Sequence, residues 1–422
     1  MRTSRGVIRR SLAGLAAASA AFAFTAATAS ADEGDGGFGD NDGIHATSGK
    51  FGGAAPLEDA HTVRHWSGKT TNPVDGVTYH YNMVGADPES DDSATIGVDI
   101  IPVNVIVGSA AFNGSDSAQP LLASPIFRKG DYSTTTAATT ATGGKGPGGE
   151  LSSGNSGVQL LDATMRAQFN KVGTGYHLRL APEVRDPITI NVPGGLGTTL
   201  TSPGGVTYAD IDNDWFKGQV VSEVHTLHLS PSRLALFLTT NLVLFVDKIP
   251  MHCCVIGSHG ADDLPAATTD AQGDEDGRQK IHTFMWSSWL TAGFFSPKSS
   301  WAKQDIHGLS HELVEWATNP FINNTVQPWR SPIAPSYGCS NLLETGDPVV
   351  GVGFSQGSNP FFQNKYSDGT YHPEDEVFLS WFMRTSPNTV SQPAQNTPTA
   401  GRYTFMGDLN PFSFFKHPPV TC

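Results

Sequence analysis

The residues best suited to chemistry in this 422-residue sequence lie between positions 305 and 320, where histidines and glutamates recur about one helical turn apart. At about 100° per residue, His307, His311 and Glu315 fall on one stripe of a helix. Neighbours four positions apart on that stripe lie roughly 6 Å from each other, close enough for two side chains to bind one ion. Glu312 sits beside the stripe, so the pattern predicts a metal site on a helix.

The sequence around these residues predicts where the helix begins and ends. Asp305 or Ser310 can cap its start, and Asn319 before Pro320 ends it. The face away from the histidines is apolar and comprises Leu309, Leu313, Trp316 and Ala317. We therefore expect a helix over 305–318 that packs its apolar face beneath a mixed sheet.

The run His311-Glu312-Leu313-Val314-Glu315 resembles the His-Glu-x-x-His helix of the zinc metallopeptidases, or zincins, with Glu315 in place of the second histidine. The resemblance implies that His311 and Glu315 bind zinc and that Glu312 is the general base, which later protonates the leaving amine. Carboxylates are harder ligands than imidazole in the hard–soft sense. A site with one histidine and carboxylates is therefore also compatible with a divalent ion other than zinc.

A third metal ligand has three candidates. Glu344 and Asp347 follow the helix by about thirty residues, and a glutamate beyond the helix is the third ligand in zincins of the thermolysin type. Asp347 lies in a Gly-Asp-Pro turn, and His307 is a local rival one turn before His311. Spacing does not rank the three, and we prefer the two carboxylates.

The same helix, continued through Ala317-Thr318-Asn319-Pro320, also resembles the secreted phosphate-induced (EXORDIUM-like) family of plants and a group of bacterial secreted proteins. This resemblance covers about residues 250–350. In the bacterial group a histidine lies near His259, which implies that His259 lines the cleft and stabilises a tetrahedral intermediate. The alternative is that His259, in a Gly-Ser-His-Gly turn, only hydrogen-bonds a loop.

A second acidic stretch, His372-Pro373-Glu374-Asp375-Glu376, lies farther along the chain. It could bind calcium, but we expect a solvated loop there.

The amino terminus predicts export. Residues 1–31 combine four arginines, a short apolar run and an Ala-Ser-Ala ending, as in a cleaved signal peptide. The Arg9-Arg10 pair leaves both twin-arginine and general secretory export open. Residues 32–60 should be a disordered leader, and 61–422 the globular region.

The net charge of the chain limits the classes of partner that it can bind. The four signal arginines are the only charged residues in that segment, so its removal takes the formal net charge from −14 to about −18. Such a surface disfavours nucleic acid and anionic membranes, and no later stretch is long and apolar enough for a membrane helix. We expect a peptide or protein substrate.

The four cysteines of an exported chain suggest two disulfides. A bond between the neighbours Cys253 and Cys254 would close a strained ring, so we expect each to pair with one of the distant cysteines, Cys339 and Cys422.

The remaining sequence predicts an α+β protein, with a mixed sheet and few helices. A helix is expected at Leu160–Val172 and a flexible insertion at 134–157. Loops are expected at 261–277 and 385–401. Strands are expected at Val77–Val84, Ile96–Val107, Tyr176–Leu180, Ile188–Val192, Val220–Leu229 and Leu234–Val246.

These features together predict a secreted zincin-type hydrolase with its metal site within 305–347. The alternative is a non-catalytic secreted or cell-wall-associated binding protein with a structural metal or none. The Gly-rich residues 143–149 lack the Lys-Ser/Thr ending of a phosphate loop, so a phosphate-loop enzyme is disfavoured.

Overall fold

A computed structural model describes residues 60–132, 136–139, 156–250, 253–263, 280–295, 304–332, 338–386 and 403–405. The expected signal peptide lies outside these residues, as do nearly all of the leader and most of the expected loops at 261–277 and 385–401. Within the described part, no helix combines the length and the apolar character needed to cross a bilayer.

The described part contains nineteen strands and five helices. The strands are β1 His65–Thr71, β2 Thr78–Val84, β3 Ser93–Val107, β4 Ala110–Asn113, β5 Gly130–Asp131, β6 Thr136–Thr139, β7 Ser156–Val158, β8 His177–Val184, β9 Ile188–Val192, β10 Gly197–Thr201, β11 Thr207–Asp212, β12 Arg233–Thr240, β13 Leu242–Phe245, β14 Cys253–Val255, β15 Gly257–Asp263, β16 Ile281–Trp289, β17 Thr325–Trp329, β18 Ser340–Leu342 and β19 Gly353–Ser355. The helices are α1 Ser115–Ala123, α2 Leu160–Gln168, α3 Asn213–Thr226, α4 His307–Thr318 and α5 Leu379–Phe382. Mixed sheets with few helices confirm the α+β class.

A seven-stranded mixed sheet organises the molecule. Its strands run in the order β15-β16-β12-β3-β4, with β8 and β9 also pairing with β3. β12 is parallel to both β3 and β16, whereas β15 is antiparallel to β16. Every residue of β16 is buried, as expected for a strand covered on both faces.

Alternation along β16 sends side chains to two different cores. Met285 and Trp289 join the core that contains the apolar face of α4, together with residues of α2. Phe284 and Trp286 point the other way and pack with α3, where the Trp286 and Phe216 rings lie 5.2 Å apart. α4 itself packs against β15 and β16.

The strand predictions for β2 and β9 are confirmed, and those for β3 and β8 are confirmed with longer strands. β2 and β9 lie where the sequence places them, and β3 extends the predicted Ile96–Val107 strand toward the amino terminus. Pro102 does not interrupt β3, but β3 pairs with β8 up to Ile100 and with β9 from Val103. The proline therefore marks a change of partner.

The predicted strand at Val220–Leu229 is wrong, because this segment lies largely in α3. Asp212 caps the helix by accepting a hydrogen bond from the backbone N–H of Trp215 at 3.0 Å. Phe216, Val220 and Val224 then recur four residues apart and are all buried, which is a helical period.

The predicted strand at Leu234–Val246 divides into β12 and β13. Asn241 between them has a positive φ of 49°, and its side-chain oxygen accepts a hydrogen bond from the backbone N–H of Thr291 at 2.9 Å. The chain leaves the seven-stranded sheet there and enters the four-stranded sheet β10-β11-β13-β14.

The predicted flexible insertion at 134–157 is bordered by paired strands. β6 pairs with β19, and β7 pairs with β5. Residues 140–155 between them lie outside the described part.

The expected cysteine pairing is wrong for the adjacent pair. Cys253 and Cys254 are joined to each other across a cis peptide, with their Cα atoms 3.1 Å apart. Because the two sulfurs form a disulfide bond with each other, neither is available to a distant cysteine. Cys339 is also disulfide-bonded.

Candidate metal centre

The helix that carries the motif, α4, is buried along its whole length. It begins at His307, two residues later than predicted, and ends at Thr318 with Asn319 as its C-cap. Its N-cap is Ile306 and no side chain caps it, so the predicted cap by Asp305 or Ser310 is wrong. All twelve residues are buried, including His311, Glu312 and Glu315, which are 0% exposed. A merely solvated polar face is therefore excluded, and these groups need partners inside the protein.

His311 lies between three carboxylates. Its Nδ1 faces Glu374 Oε2 at 3.1 Å. On the other side of the ring, Nε2 faces Glu315 Oε2 at 3.1 Å and Asp347 Oδ1 at 3.8 Å. The structure thus brings together the three predicted ligands His311, Glu315 and Asp347.

The turn that follows β18 fixes the position of the Glu315 carboxylate. Glu315 Oε1 accepts hydrogen bonds from the backbone N–H groups of Gly346 and Asp347, at 2.9 and 3.2 Å. This leaves Oε2 directed at His311. Glycine is required at 346 because a Cβ there would lie 2.3 Å from His311 Nδ1.

The atoms around His311 fit a divalent cation. If Nδ1–H donates to Glu374, Nε2 presents a lone pair to Glu315 Oε2, and two acceptors face each other at 3.1 Å. Within the described part, neither of these two buried atoms has a hydrogen-bond partner. Only a proton or a cation between them resolves this. Ligand atoms about 2.1 Å from a tetrahedral ion lie about 3.4 Å apart, close to the distances observed here.

Electrostatics also favour a positive charge at this position. Burial alone would lower the pKa of His311, but the charges of Glu315 and Glu374 outweigh it and raise the pKa well above the usual value. Burial would raise the pKa of Glu315, but His311 outweighs it and lowers the pKa. The surrounding carboxylates therefore stabilise a cation, either the imidazolium or a bound ion.

Glu312 lies beside His259, which belongs to β15. Its Oε2 lies 3.2 Å from Nδ1 of His259, and both side chains are fully buried. Gly257 passes so close that a Cβ there would lie 2.6 Å from Oε1 of Glu312. The stretch around His259 was expected to be a turn; it is a strand, because residues 257–263 pair with β16. His259 therefore reaches the site from the sheet edge.

The two candidate carboxylates beyond the helix occupy different places. Asp347 approaches His311, whereas Glu344 Oε2 lies 3.6 Å from His259 Nε2. Asn319 holds Glu344 by donating from Nδ2 to Oε1 at 2.7 Å. The third ligand beside His311 is thus Asp347, and Glu344 belongs to the surroundings of His259.

His307, the local rival as third ligand, is directed elsewhere. Its Nε2 lies 2.8 Å from Glu374 Oε2. Within the described part of the chain, two groups of side chains could hold an ion. One contains His311 and the other contains His259, and neither contains His307. His307 therefore supports Glu374 from behind and does not join Glu315 and Asp347.

Glu374 is the site residue that sequence reasoning missed. The stretch His372–Glu376 was expected to be a solvated loop, but its acidic residues are at most 2% exposed. Glu374 accepts a hydrogen bond at Oε1 from Gly351 N–H, and its own N–H donates to Ser310 Oγ. Burial would raise its pKa, but His307 and His311 outweigh burial and lower the pKa to about 2.

Comparisons with protein-family models, with curated proteins and with solved structures found no match. The resemblances to the zincins and to the EXORDIUM-like family therefore stay predictions, and the site is interpreted from its own geometry.

Proposed function

We propose that this chain is a secreted, metal-dependent hydrolase of the zincin type that cleaves peptide bonds. One observation carries the proposal: ligand atoms of His311, Glu315 and Asp347 all lie within 4.8 Å of one another, and His311 and Glu315 belong to a helix motif that differs from His-Glu-x-x-His at one position. Export rests on the signal-like residues 1–31. Zinc is the first candidate ion, and the two carboxylates also suit another divalent ion.

Each residue has a distinct role in this proposal. His311, Glu315 and Asp347 hold the ion, which supplies positive charge that activates water and polarises the scissile carbonyl. Glu374 holds the His311 ring so that Nε2 points at the ion. Glu312 takes a proton from water at Oε1 and later returns it to the leaving nitrogen. His259 donates from Nδ1 to Glu312 Oε2 and thereby orients that carboxylate.

A second candidate function is favoured by the burial of the site. The ligand residues His311 and Glu315 are 0% exposed, and Asp347 is 7% exposed. Closed ligand sets are typical of structural metal sites, whereas catalytic sites keep an open position. The alternative is thus an exported binding protein in which the same three residues hold a structural ion.

A metal analysis combined with a peptide-hydrolysis assay separates these functions. The tag-free exported protein is analysed by elemental mass spectrometry and incubated with a fluorogenic peptide library. The proposal predicts bound metal, hydrolysis that a chelator abolishes, and loss of at least 100-fold activity in Glu312→Gln. Glu223→Gln on α3 is the control and should retain full activity.

The other outcomes are equally informative. Stoichiometric metal with no hydrolysis of any peptide overturns the peptidase and favours the structural ion. A protein that binds no divalent ion under any loading condition overturns both the peptidase and the structural ion, and leaves a binding protein without metal.

A further inference from the structure

We infer that the centre holds two divalent cations, bridged by the Glu315 carboxylate. The inference rests on the metal site of the proposed function and adds a second ion to it. The first ion lies among His311, Glu315 and Asp347. The second lies among His259, Glu312 and Glu315, whose ligand atoms also all lie within 4.8 Å of one another.

The spacing of the second group matches that of the first. His259 Nδ1 lies 3.2 Å from Glu312 Oε2 and 3.8 Å from Glu315 Oε2. The corresponding distances around His311 Nε2 are 3.1 and 3.8 Å. Both sets bracket the separation of about 3.4 Å expected between the ligand atoms of a tetrahedral ion.

Glu315 is placed to bridge because only one of its oxygens is engaged by the backbone. Oε1 accepts from Gly346 and Asp347, so Oε2 is left between the two imidazoles, 3.1 Å from His311 and 3.8 Å from His259. Oε2 is buried and has no hydrogen-bond partner within the described part. A carboxylate oxygen in this position can bind two ions about 3.5–4 Å apart, as in two-metal hydrolases.

Each histidine also has a carboxylate behind it. His311 presents Nε2 to the first ion and Nδ1 to Glu374 at 3.1 Å. His259 presents Nδ1 to the second ion and Nε2 to Glu344 at 3.6 Å. A carboxylate on the far nitrogen is the usual support of a metal-binding histidine, because it fixes the tautomer and the ring orientation. The two halves of the centre therefore repeat one arrangement.

The charge of the cluster is consistent with two ions. Five buried carboxylates belong to the two groups or lie against their histidines: Glu312, Glu315, Glu344, Asp347 and Glu374. One divalent ion offsets two of these charges, whereas two ions offset four. Buried carboxylates persist as anions only where opposite charge compensates them.

A second ion changes the role assigned to Glu312. With an ion between His259 and Glu312, the Glu312 carboxylate is a ligand, and water is activated by two cations rather than by one ion and a base. Loss of Glu312 impairs hydrolysis in either case, so activity alone does not distinguish one ion from two. The number of bound ions does.

The experiment counts zinc in the tag-free exported protein after chelation, reloading and dialysis. Wild type is expected to bind two equivalents per chain, and His259→Ala and His311→Ala one each. Glu315→Gln should lower the affinity of both sites. His282→Gln is the matched control, because His282 is a buried histidine on β16 that contacts the carbonyl oxygen of Leu229 outside the centre. It should retain two equivalents.

A measurement on wild type alone guards against variants that fail to fold. With cobalt in place of zinc, two ions bridged by one carboxylate should give a spin-coupled pair, whose paramagnetic resonance signal at two equivalents is weaker than twice that at one. Saturation at one equivalent, or two uncoupled cobalt ions, overturns the inference. One ion with peptide hydrolysis overturns only the second site, whereas no bound ion overturns the proposed function as well.

Discussion

The Glu374 carboxylate accepts a hydrogen bond from His311 across 3.1 Å, although 63 residues separate the two in the chain. The same oxygen lies 2.8 Å from Nε2 of His307, one turn earlier on α4. Glu374 therefore fixes both histidines of the helix, and the motif is completed from a distant segment.

Replacing Glu374 by glutamine should weaken metal binding without removing a ligand. Glutamine keeps the shape of the side chain, but it lacks the charge that holds Nδ1–H of His311 and supports the basicity of the ring. We expect a 10- to 100-fold loss of zinc affinity, measured by competition with a chromogenic chelator. The number of ions bound at saturation should not change. An affinity equal to that of wild type would contradict the positioning role.

Gly346→Ala should displace the His311 ring. The added Cβ would lie 2.3 Å from Nδ1, a distance that real Cβ atoms do not adopt, and α4 is too closely packed to retreat. We expect a fall in zinc affinity together with a lower melting temperature. Gly218→Ala is the control, because a Cβ at 218 in α3 has no neighbour within 4 Å. Alanine there should stabilise the helix by up to about 1 kcal/mol.

The ion pair between Asp305 and His372 should make stability depend on pH. Nδ1 of His372 lies 2.7 Å from Asp305 Oδ2, which ties the start of α4 to the segment that carries Glu374. Burial would lower the pKa of His372, but Asp305 and Asp368 outweigh burial and raise the pKa to about 9.

A folded-state pKa above the unfolded value of about 6.5 means that the stabilisation is complete below pH 6.5 and is lost as the pH rises through about 9. Urea unfolding between pH 6 and 10 should show a fall on the order of 3 kcal/mol in the free energy of unfolding. In His372→Gln this fall should be absent. An equal fall in both proteins would assign it to other groups.

The part of the site that is local in sequence was predictable, and the part that depends on tertiary packing was not. The spacing of His311 and Glu315 and the C-cap at Asn319 follow from helix geometry alone. The choice of Asp347 over Glu344 depends on which backbone N–H groups meet Glu315, and no sequence pattern encodes that contact.

The errors in the sequence reading have the same origin. Glu374 was assigned to a solvated loop because three acids in a row are usually exposed, yet the buried histidines of α4 supply the compensating charge. The β-branched residues around Val220 suggested a strand. The cap at Asp212 and the helical period that begins at Phe216 both precede Val220, and they favour a helix.

The hydrogen bond between Asn319 and Glu344 should stabilise the fold even when no metal is bound. Asn319 donates to Glu344 Oε1 at 2.7 Å, while its own Oδ1 accepts from the backbone N–H groups of Asn323 and Asn324. Asn319→Asp keeps the acceptor but removes the donor and places a carboxylate against Glu344. Because the pair is buried, we expect a loss of about 1–3 kcal/mol in the free energy of unfolding of the metal-free protein.

A second substitution should reverse this loss. In the double variant Asn319→Asp, Glu344→Gln, the glutamine amide can donate to the new carboxylate, so the hydrogen bond re-forms with its direction inverted. Its free energy of unfolding should exceed that of Asn319→Asp alone, a non-additivity that a double-mutant cycle measures directly. If the two changes simply add, the contact between residues 319 and 344 contributes nothing to stability, and Glu344 is held by other groups.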